Sequence, residues 1–160
     1  MSTSPAAATS TSTSDRIEKR VTLEAPVSRV WRALTDVEQF STWFGIAFSA
    51  PFIPGTEVPG KFGNAKYAHF PFSIWIESME AERFFSFRWH PYPLDEGVDY
   101  AAEPTTLITF TLEAIEGGTL LTIVEAGFDS IPESRRVKAF TMNTNGWNSQ
   151  AENIRKFLAR

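Results

Sequence analysis

Apolar residues recur at helical spacing through the last part of the chain, and this stretch constrains the fold most. It follows Pro132, a residue tolerated in a first helical turn, and continues to the C-terminus. Its stripe consists of Val137, Phe140, Asn143, Thr144, Trp147, Ala151, Ile154 and Leu158. A helix with one such stripe must bury it against a second layer. Gly146 lies inside the helix at a cost of roughly 1 kcal/mol relative to alanine, which predicts close packing or a slight bend there.

The start of the chain predicts one strand followed by two short helices. Ile17–Leu23 alternates at period two, as an edge strand with one wet face does. Apolar residues then follow at helical spacing from Val27 to about Thr35. Asp36 is a candidate cap for a second helix that runs through Trp43, and Gly45 is a plausible stop.

A first hairpin is predicted from Phe72–Met79 and Phe84–Trp89. A tight turn at Ala81-Glu82 pairs Ile76 with Phe87 and Ser78 with Phe85. In this register one face of the hairpin is almost wholly apolar, and a slip by one residue would mix the faces.

The second hairpin, Thr106–Ala114 and Thr119–Phe128, has two possible registers. A two-residue Gly117-Gly118 turn places Phe110 opposite Glu125. A three-residue loop that also includes Glu116 places Phe110 opposite Val124 instead. Only the first register points Glu125 to the interior.

Charge and composition exclude several classes of function. The net charge is −4 and Lys/Arg runs do not exceed two residues, which argues against nucleic-acid binding. No apolar run is long enough for a membrane span, and the chain has no cysteine. The Ser/Thr/Ala-rich residues 1–14 predict a disordered tail rather than a signal peptide, so we expect one domain over residues 15–160 in the cytoplasm.

The aromatic content is the unusual part of the composition. Aromatic residues make up 14 % of the chain, with fourteen Phe and five Trp. A domain of this size does not need so many large rings to fill a core. We therefore expect part of them to line a cavity between the long helix and a strongly curved antiparallel sheet.

Several stretches, taken in order, resemble a known family. They are Leu23 to Asp36, Trp43-Phe44-Gly45, Phe85 to Pro91, Thr109 to Glu113, Gly117-Gly118-Thr119, Glu125 to Phe128 and Gly146-Trp147. Over roughly Arg16 to Arg160 they are similar to the family named after the activator of the heat-shock-protein-90 ATPase, within the START-like (SRPBCC) superfamily.

The resemblance implies an α+β helix-grip fold. In this fold a curved antiparallel sheet wraps around a long C-terminal helix, with two short helices after the first strand. It also favours the Gly117-Gly118 turn, because family members place apolar residues at the positions of Leu121 and Ile123. The fold hosts ligand binders, cyclases and co-chaperones, so it does not specify an activity.

Twelve residues are candidates for ligand binding. They are Trp31, Trp43, Phe44, Phe87, Trp89, His90, Tyr92, Phe110, Glu125, Phe140, Asn143 and Trp147. His90 or Tyr92 is either a polar contact at the cavity mouth or a strand-end group in solvent. Glu125 is either a desolvated carboxylate with a raised pKa or a solvated one. Asn143 is the helix residue expected to meet a ligand.

We expect binding of a small apolar or aromatic molecule in the cavity. The alternatives are a cofactor-free cyclase or dehydratase that uses Glu125 or His90, and a protein-interaction module resembling the chaperone activator. His69 and His90 lack ligand-like spacing to carboxylates, and no catalytic constellation is recognisable, so neither a metal nor a cofactor is expected. Arg135-Arg136 beside Glu133 predicts a solvated helix face.

Overall fold

The computed structural model describes residues 15–160, so the predicted disordered tail of residues 1–14 lies outside the described residues. The strands are β1 (Arg16–Leu23), β2 (Ile46–Phe48), β3 (Glu57–Phe62), β4 (Phe72–Glu80), β5 (Phe84–Trp89), β6 (Thr106–Ile115) and β7 (Gly118–Ala126). The helices are α1 (Val27–Thr35), α2 (Val37–Phe44) and α3 (Glu133–Leu158), with short 3-10 turns at Tyr100–Ala102 and Phe128–Ser130.

The strands form one antiparallel sheet in the order β1-β7-β6-β5-β4-β3-β2. β1 lies at one edge of the sheet, as predicted for Ile17–Leu23. The curved sheet packs its apolar face against α3, and α1 and α2 follow the first strand. The predicted helix-grip fold is therefore confirmed.

The two short helices begin and end where their sequence predicts. The Asp36 carboxylate accepts a 3.0 Å hydrogen bond from the Gln39 backbone N–H, which caps α2. Gly45 ends the helix in the left-handed conformation with φ of 83°. Phe40 of α2 is fully buried, so this helix closes one end of the core.

The first hairpin has the predicted register over half of its length. Ile76 pairs with Phe87, but a β-bulge follows, so that Ser78 faces Ser86 rather than Phe85. The predicted pairing of Ser78 with Phe85 is wrong because the turn has one more residue than expected and includes Glu82 at φ of 63°. The bulge compensates for this extra residue, which keeps apolar side chains on the inner face.

The second hairpin has neither predicted register. Its turn is Glu116-Gly117, with Ile115 opposite Gly118 and Phe110 opposite Ile123. This turn lies one residue earlier than Gly117-Gly118, so Gly118 is the first residue of β7, where a Cβ would overlap the carbonyl oxygen of Leu23 in β1. The register differs by two residues from the Gly117-Gly118 alternative, and the faces of a strand repeat every two residues. Glu125 therefore points to the interior, as that alternative requires.

Arg135 fastens the long segment between β5 and β6 to the start of α3. Its guanidinium donates to both carboxylate oxygens of Glu103 at 2.9 to 3.2 Å and to Asp95 at 3.0 Å. It also donates to the carbonyls of Pro91 and Tyr92. The predicted solvated position of Arg135 is wrong, since its side chain is only 8 % exposed. The helix pattern could not reveal this, because all these partners come from an irregular segment.

Within residues 15–160, no helix combines the length and the apolar character that a membrane crossing requires.

Candidate ligand-binding site

A fully buried carboxylate lies at the centre of the interface between α3 and the sheet. Glu125 of β7 is 0 % exposed. Its Oε1 accepts a 2.8 Å hydrogen bond from the Trp147 indole of α3. Its Oε2 accepts from the Trp89 indole at 2.8 Å and from the Thr106 hydroxyl at 2.6 Å. The amide nitrogen of Asn143 lies 3.1 Å from both oxygens. One side chain thus connects α3 with three strands.

The electrostatics of this cluster set two effects against each other. Burial raises the pKa of the Glu125 carboxyl above its ordinary value of 4.5, and the hydrogen bonds from Thr106, Trp89, Trp147 and Asn143 oppose that rise. Burial is the larger effect, so the pKa of the Glu125 carboxyl is raised. The carboxyl is therefore a weakened acid held by neutral donors.

Aromatic rings fill most of the interior around Glu125. The indoles of Trp89 and Trp147 are stacked at 5.6 Å, and Phe110 meets Trp147 edge-on at 5.9 Å. Phe87 and Phe110 are both 0 % exposed. The excess of rings thus largely fills the space that the sequence analysis assigned to a cavity, because they pack against each other in edge and stacked contacts.

Two small grooves remain between α3 and the sheet. One has a volume of about 150 Å³ and is bordered by Phe44, Trp147 and Gly146 among others. The other, of about 110 Å³, reaches towards His90 and Tyr92. Both grooves are bordered by Ile46, Trp89 and Asn143. We refer to the two together as the helix–sheet opening.

Gly146 leaves free space at the helix–sheet opening. A Cβ added at this position would meet no atom within 4 Å outside the local helix backbone. The close packing considered for Gly146 from the sequence is therefore absent. The glycine costs helix stability without a packing gain, and its position borders the larger groove.

Six of the twelve predicted site residues border the opening. These are Phe44, Trp89, His90, Tyr92, Asn143 and Trp147. Glu125 lies behind them and borders neither groove. Trp43, Phe87 and Phe110 belong to the buried core. Trp31 and Phe140 are partly buried at its margin, and Phe140 packs against Phe128 at 5.1 Å.

Several residues of the opening escaped the sequence analysis. They are Ile46, Phe62, Phe72, Pro93, Leu94, Gly146 and Gln150. Ile46 and Phe62 lie in the stretch from Ile46 to Tyr67, where prolines and glycines indicate short strands and turns but the periodicity is too poor to place their boundaries. Gly146 carried a signal, since a glycine inside a helical stripe needs a reason.

His90 stands at the end of β5 with an unusual environment. Burial lowers the pKa of its imidazole, although hydrogen bonding to the Pro104 carbonyl and the charge of Glu103 oppose this. Its Nδ1 is buried and lacks a hydrogen-bond partner among residues 15–160. No group of three His, Asp or Glu side chains suited to a metal ion occurs within that same range.

Comparison with known proteins gives a family and a fold. Residues 24–159 match the family described as "Activator of Hsp90 ATPase homolog 1-like protein". The chain is similar to DynU16, a protein in the dynemicin biosynthetic locus, at 25 % identity and a TM-score of 0.67, over 91 % of this chain and 47 % of that one. It thus spans about half of the length of DynU16.

Two further solved structures share the fold over most of their length. Protein MLL2253 from Mesorhizobium loti is 19 % identical with a TM-score of 0.73, and 91 % of this chain and 97 % of that chain are covered. CalU16 from Micromonospora echinospora is 22 % identical with a TM-score of 0.64, covering 89 % and 75 %. Among curated proteins, none matches the chain.

Proposed function

The chain belongs to the Activator of Hsp90 ATPase homolog 1-like family, and from that premise we propose that it binds a small aromatic or apolar molecule at the helix–sheet opening. The observation that carries this proposal is the larger groove, where the exposed Gly146 leaves open space beside Trp147 at a cost in helix stability. A bound ring beside Gly146 and Trp147 would use that space.

The volume of the opening limits the size of the ligand. An apolar cavity of about 150 Å³ is large enough for benzene. The larger groove, of about 150 Å³, therefore suits one ring, and the adjoining groove suits a short substituent. Burial of the ring contributes about 25 cal/mol per Å² before the costs of association.

Asn143 adds a polar preference. Its amide nitrogen faces the Glu125 carboxylate, which can only accept hydrogen bonds while it is ionised, so the side-chain oxygen is directed away. That oxygen has no hydrogen-bond partner among residues 15–160, and Asn143 borders both grooves. A ring that carries a donor, such as a phenol or an aniline, would satisfy it.

The first test is native mass spectrometry of the freshly purified protein, with the same sample run denatured. An added mass that disappears on denaturation supports the proposal and supplies a ligand to identify. A ligand-free protein is then titrated with phenol and with toluene, which has the same shape without the donor. We expect saturable shifts of the Trp89 and Trp147 indole N–H resonances, with phenol binding more tightly.

The Gly146→Leu variant places a side chain in the groove and is expected to abolish these shifts. The matched control is Asn145→Leu, which adds the same side chain at an exposed neighbouring position. The proposal would be wrong if Gly146→Leu and Asn145→Leu bound the probes equally well. It would also be wrong if neither phenol nor toluene gave a saturable shift.

A protein-interaction function resembling the chaperone activator is the second candidate. The interior filled by the protein's own rings favours it, because a surface partner needs no cavity. This function predicts that a partner protein still binds the Trp147→Ala variant in a pull-down and no longer binds variants with altered surface charges.

Catalysis of the cyclase or dehydratase type is supported less well. Glu125 would have to exchange a proton with a ligand that it does not contact, since it borders neither groove. Loss of turnover in Glu125→Gln with retained ligand binding would favour catalysis nonetheless. We place all of these functions in the cytoplasm, a setting compatible with a chain without cysteine.

A further inference from the structure

A second and larger concavity lies on the opposite side of the sheet from α3. It has a volume of about 500 Å³, within the range of small-molecule sites. Trp75 and Ser73 border it, and they alternate along β4 with the inward-facing Ile74. The segment between β5 and β6 forms the other wall. We refer to this concavity as the outer cleft. Phe72, His90 and Pro93 separate it from the helix–sheet opening, because they border both.

Apart from two histidines, all the charged residues that line the outer cleft are acidic. They are Glu57, Asp95, Glu96 and Asp99, and neither lysine nor arginine lines it within the described part of the chain. Two of these carboxylates are already paired. Asp95 binds Arg135 at 3.0 Å and Lys138 at 2.7 Å, and Glu96 lies 3.1 Å from His69. Glu57 and Asp99 have no cationic partner among residues 15–160.

Glu57 is placed directly beside an aromatic ring. It is the cross-strand partner of Trp75, so their Cβ atoms are about 4.5–5.5 Å apart. Trp75 is only partly buried, and His90 meets its indole edge-on at 5.5 Å. The face of an indole next to an unpaired carboxylate attracts a cation through both the ring quadrupole and the charge.

The remaining rings extend this surface. Phe70 and Phe72 also line the cleft, and so does Tyr100, whose ring already carries the Arg135 guanidinium at 4.7 Å. His90 adds no positive charge near neutral pH, because burial lowers the pKa of its imidazole. The cleft therefore combines aromatic faces with excess negative charge, and an anionic ligand would meet repulsion from Glu57 and Asp99.

We propose that the outer cleft is a second binding site, and that it takes an organic cation whose ammonium group lies between the Trp75 indole and the Glu57 carboxylate. This proposal does not rest on ligand binding at the helix–sheet opening, since Trp75 and Glu57 border neither of its grooves. An ammonium group with methyl substituents fits the combination best, because its apolar surface contacts the ring while its charge faces the carboxylate.

The probe is choline, and the matched compound is 3,3-dimethylbutan-1-ol, which has the same shape without the charge. Titrations of the ¹⁵N-labelled protein follow the Trp75 indole N–H resonance. We expect a saturable shift with choline and binding of the neutral compound weaker by at least about threefold. Added salt should weaken choline binding and leave the neutral compound unaffected.

Two variants test the assigned contacts. Glu57→Gln keeps the size of an exposed side chain and should weaken choline binding, and Trp75→Leu should weaken it further. The control is Glu116→Gln, which removes the same charge from the turn at the other end of the sheet. The absence of a saturable shift at millimolar choline, equal affinity for both compounds, or equal affinity of Glu57→Gln and Glu116→Gln would each overturn the proposal.

Discussion

The indoles of Trp89 and Trp147 are stacked with their centroids 5.6 Å apart, and each donates its N–H to a different oxygen of one carboxylate. One ring belongs to β5 and the other to α3. The stack therefore joins helix to sheet through both an apolar contact and a shared acceptor, Glu125. Neither ring is free to turn away without leaving a buried N–H unpaired.

Replacing this carboxylate by its amide should destabilise the protein. In Glu125→Gln the new NH₂ group faces the donors of Trp89, Trp147, Thr106 and Asn143, so at least one buried donor loses its acceptor. We expect the free energy of unfolding to fall by about 1–3 kcal/mol in denaturant titrations. The control is Glu113→Gln on the exposed face of β6, which should change little. Equal stability of the two variants would contradict the conclusion that Glu125 accepts hydrogen bonds from all four buried donors.

The same carboxyl should make stability depend on pH. Burial raises its pKa above the ordinary 4.5, so from about pH 4.5 upward the native protein keeps a proton that the unfolded chain releases. The free energy of unfolding then falls as pH rises towards the raised native pKa. The advantage of the wild type over Glu125→Gln should shrink over this interval in denaturation series at several pH values. An advantage that grows with pH would show a lowered pKa instead.

Gly146→Ala should stabilise the isolated protein. The added methyl group meets nothing within 4 Å, and alanine is the better helix former. We expect a gain of about 0.5–1 kcal/mol in the free energy of unfolding. The control is Ser149→Ala at an exposed position of the same helix, which should give a smaller gain because serine has a higher helix propensity than glycine. A loss of stability in Gly146→Ala would mean that the groove is narrower than described.

Removing the Arg135 guanidinium should cost far more than removing a surface arginine. Arg135→Met leaves the Glu103 carboxylate unpaired, and that side chain is only 8 % exposed. We expect a loss of about 3–5 kcal/mol and faster amide exchange in the segment between β5 and β6.

The added change Glu103→Met should restore part of the loss in stability. Arg155→Gln is the control, because its ion pair with Glu152 is exposed. Similar losses in the free energy of unfolding for Arg135→Met and Arg155→Gln would show that Arg135 does not stabilise the segment between β5 and β6.

Two adjacent glycines should respond differently to alanine. At Gly117 the cost comes from φ of 82° alone, since a Cβ there meets no other atom. At Gly118 the Cβ would overlap the carbonyl of Leu23, so β1 has to move away from β7. We expect Gly117→Ala to cost about 1 kcal/mol and Gly118→Ala clearly more, measured by thermal and denaturant unfolding. The opposite order would place the turn at Gly117-Gly118.

The sequence predicts most of the architecture because the signals are local. The alternation of Ile74, Ile76, Phe85 and Phe87 requires two strands with one shared apolar face. Asp36 as a cap and Gly45 as a stop act on their own helix. Such signals do not depend on distant parts of the chain, and the structure places each of them as expected.

What escapes the sequence depends on contacts between distant segments. The turn at Glu116-Gly117 places Gly118 against Leu23, which lies in another strand, and no local pattern in the sequence indicates that contact. Arg135 is buried only because Glu103 comes to it from an irregular segment without periodicity. The groove beside Gly146 likewise depends on residues from distant segments, such as Phe44 and Trp89. The glycine could be noticed in the sequence, but the groove could not.

The position of β1 at the sheet edge has a consequence for how the chain folds. Leu23, at the end of the first strand, pairs with Thr119 in the last one, and every other strand lies between them in sequence. Closing so long a loop is entropically costly until the intervening hairpins have formed. During synthesis β1 cannot form its ladder until its partner strand β7 has left the ribosome. The first strand to be made is thus among the last to be fixed, and its charged residues keep it from pairing with other chains in the meantime.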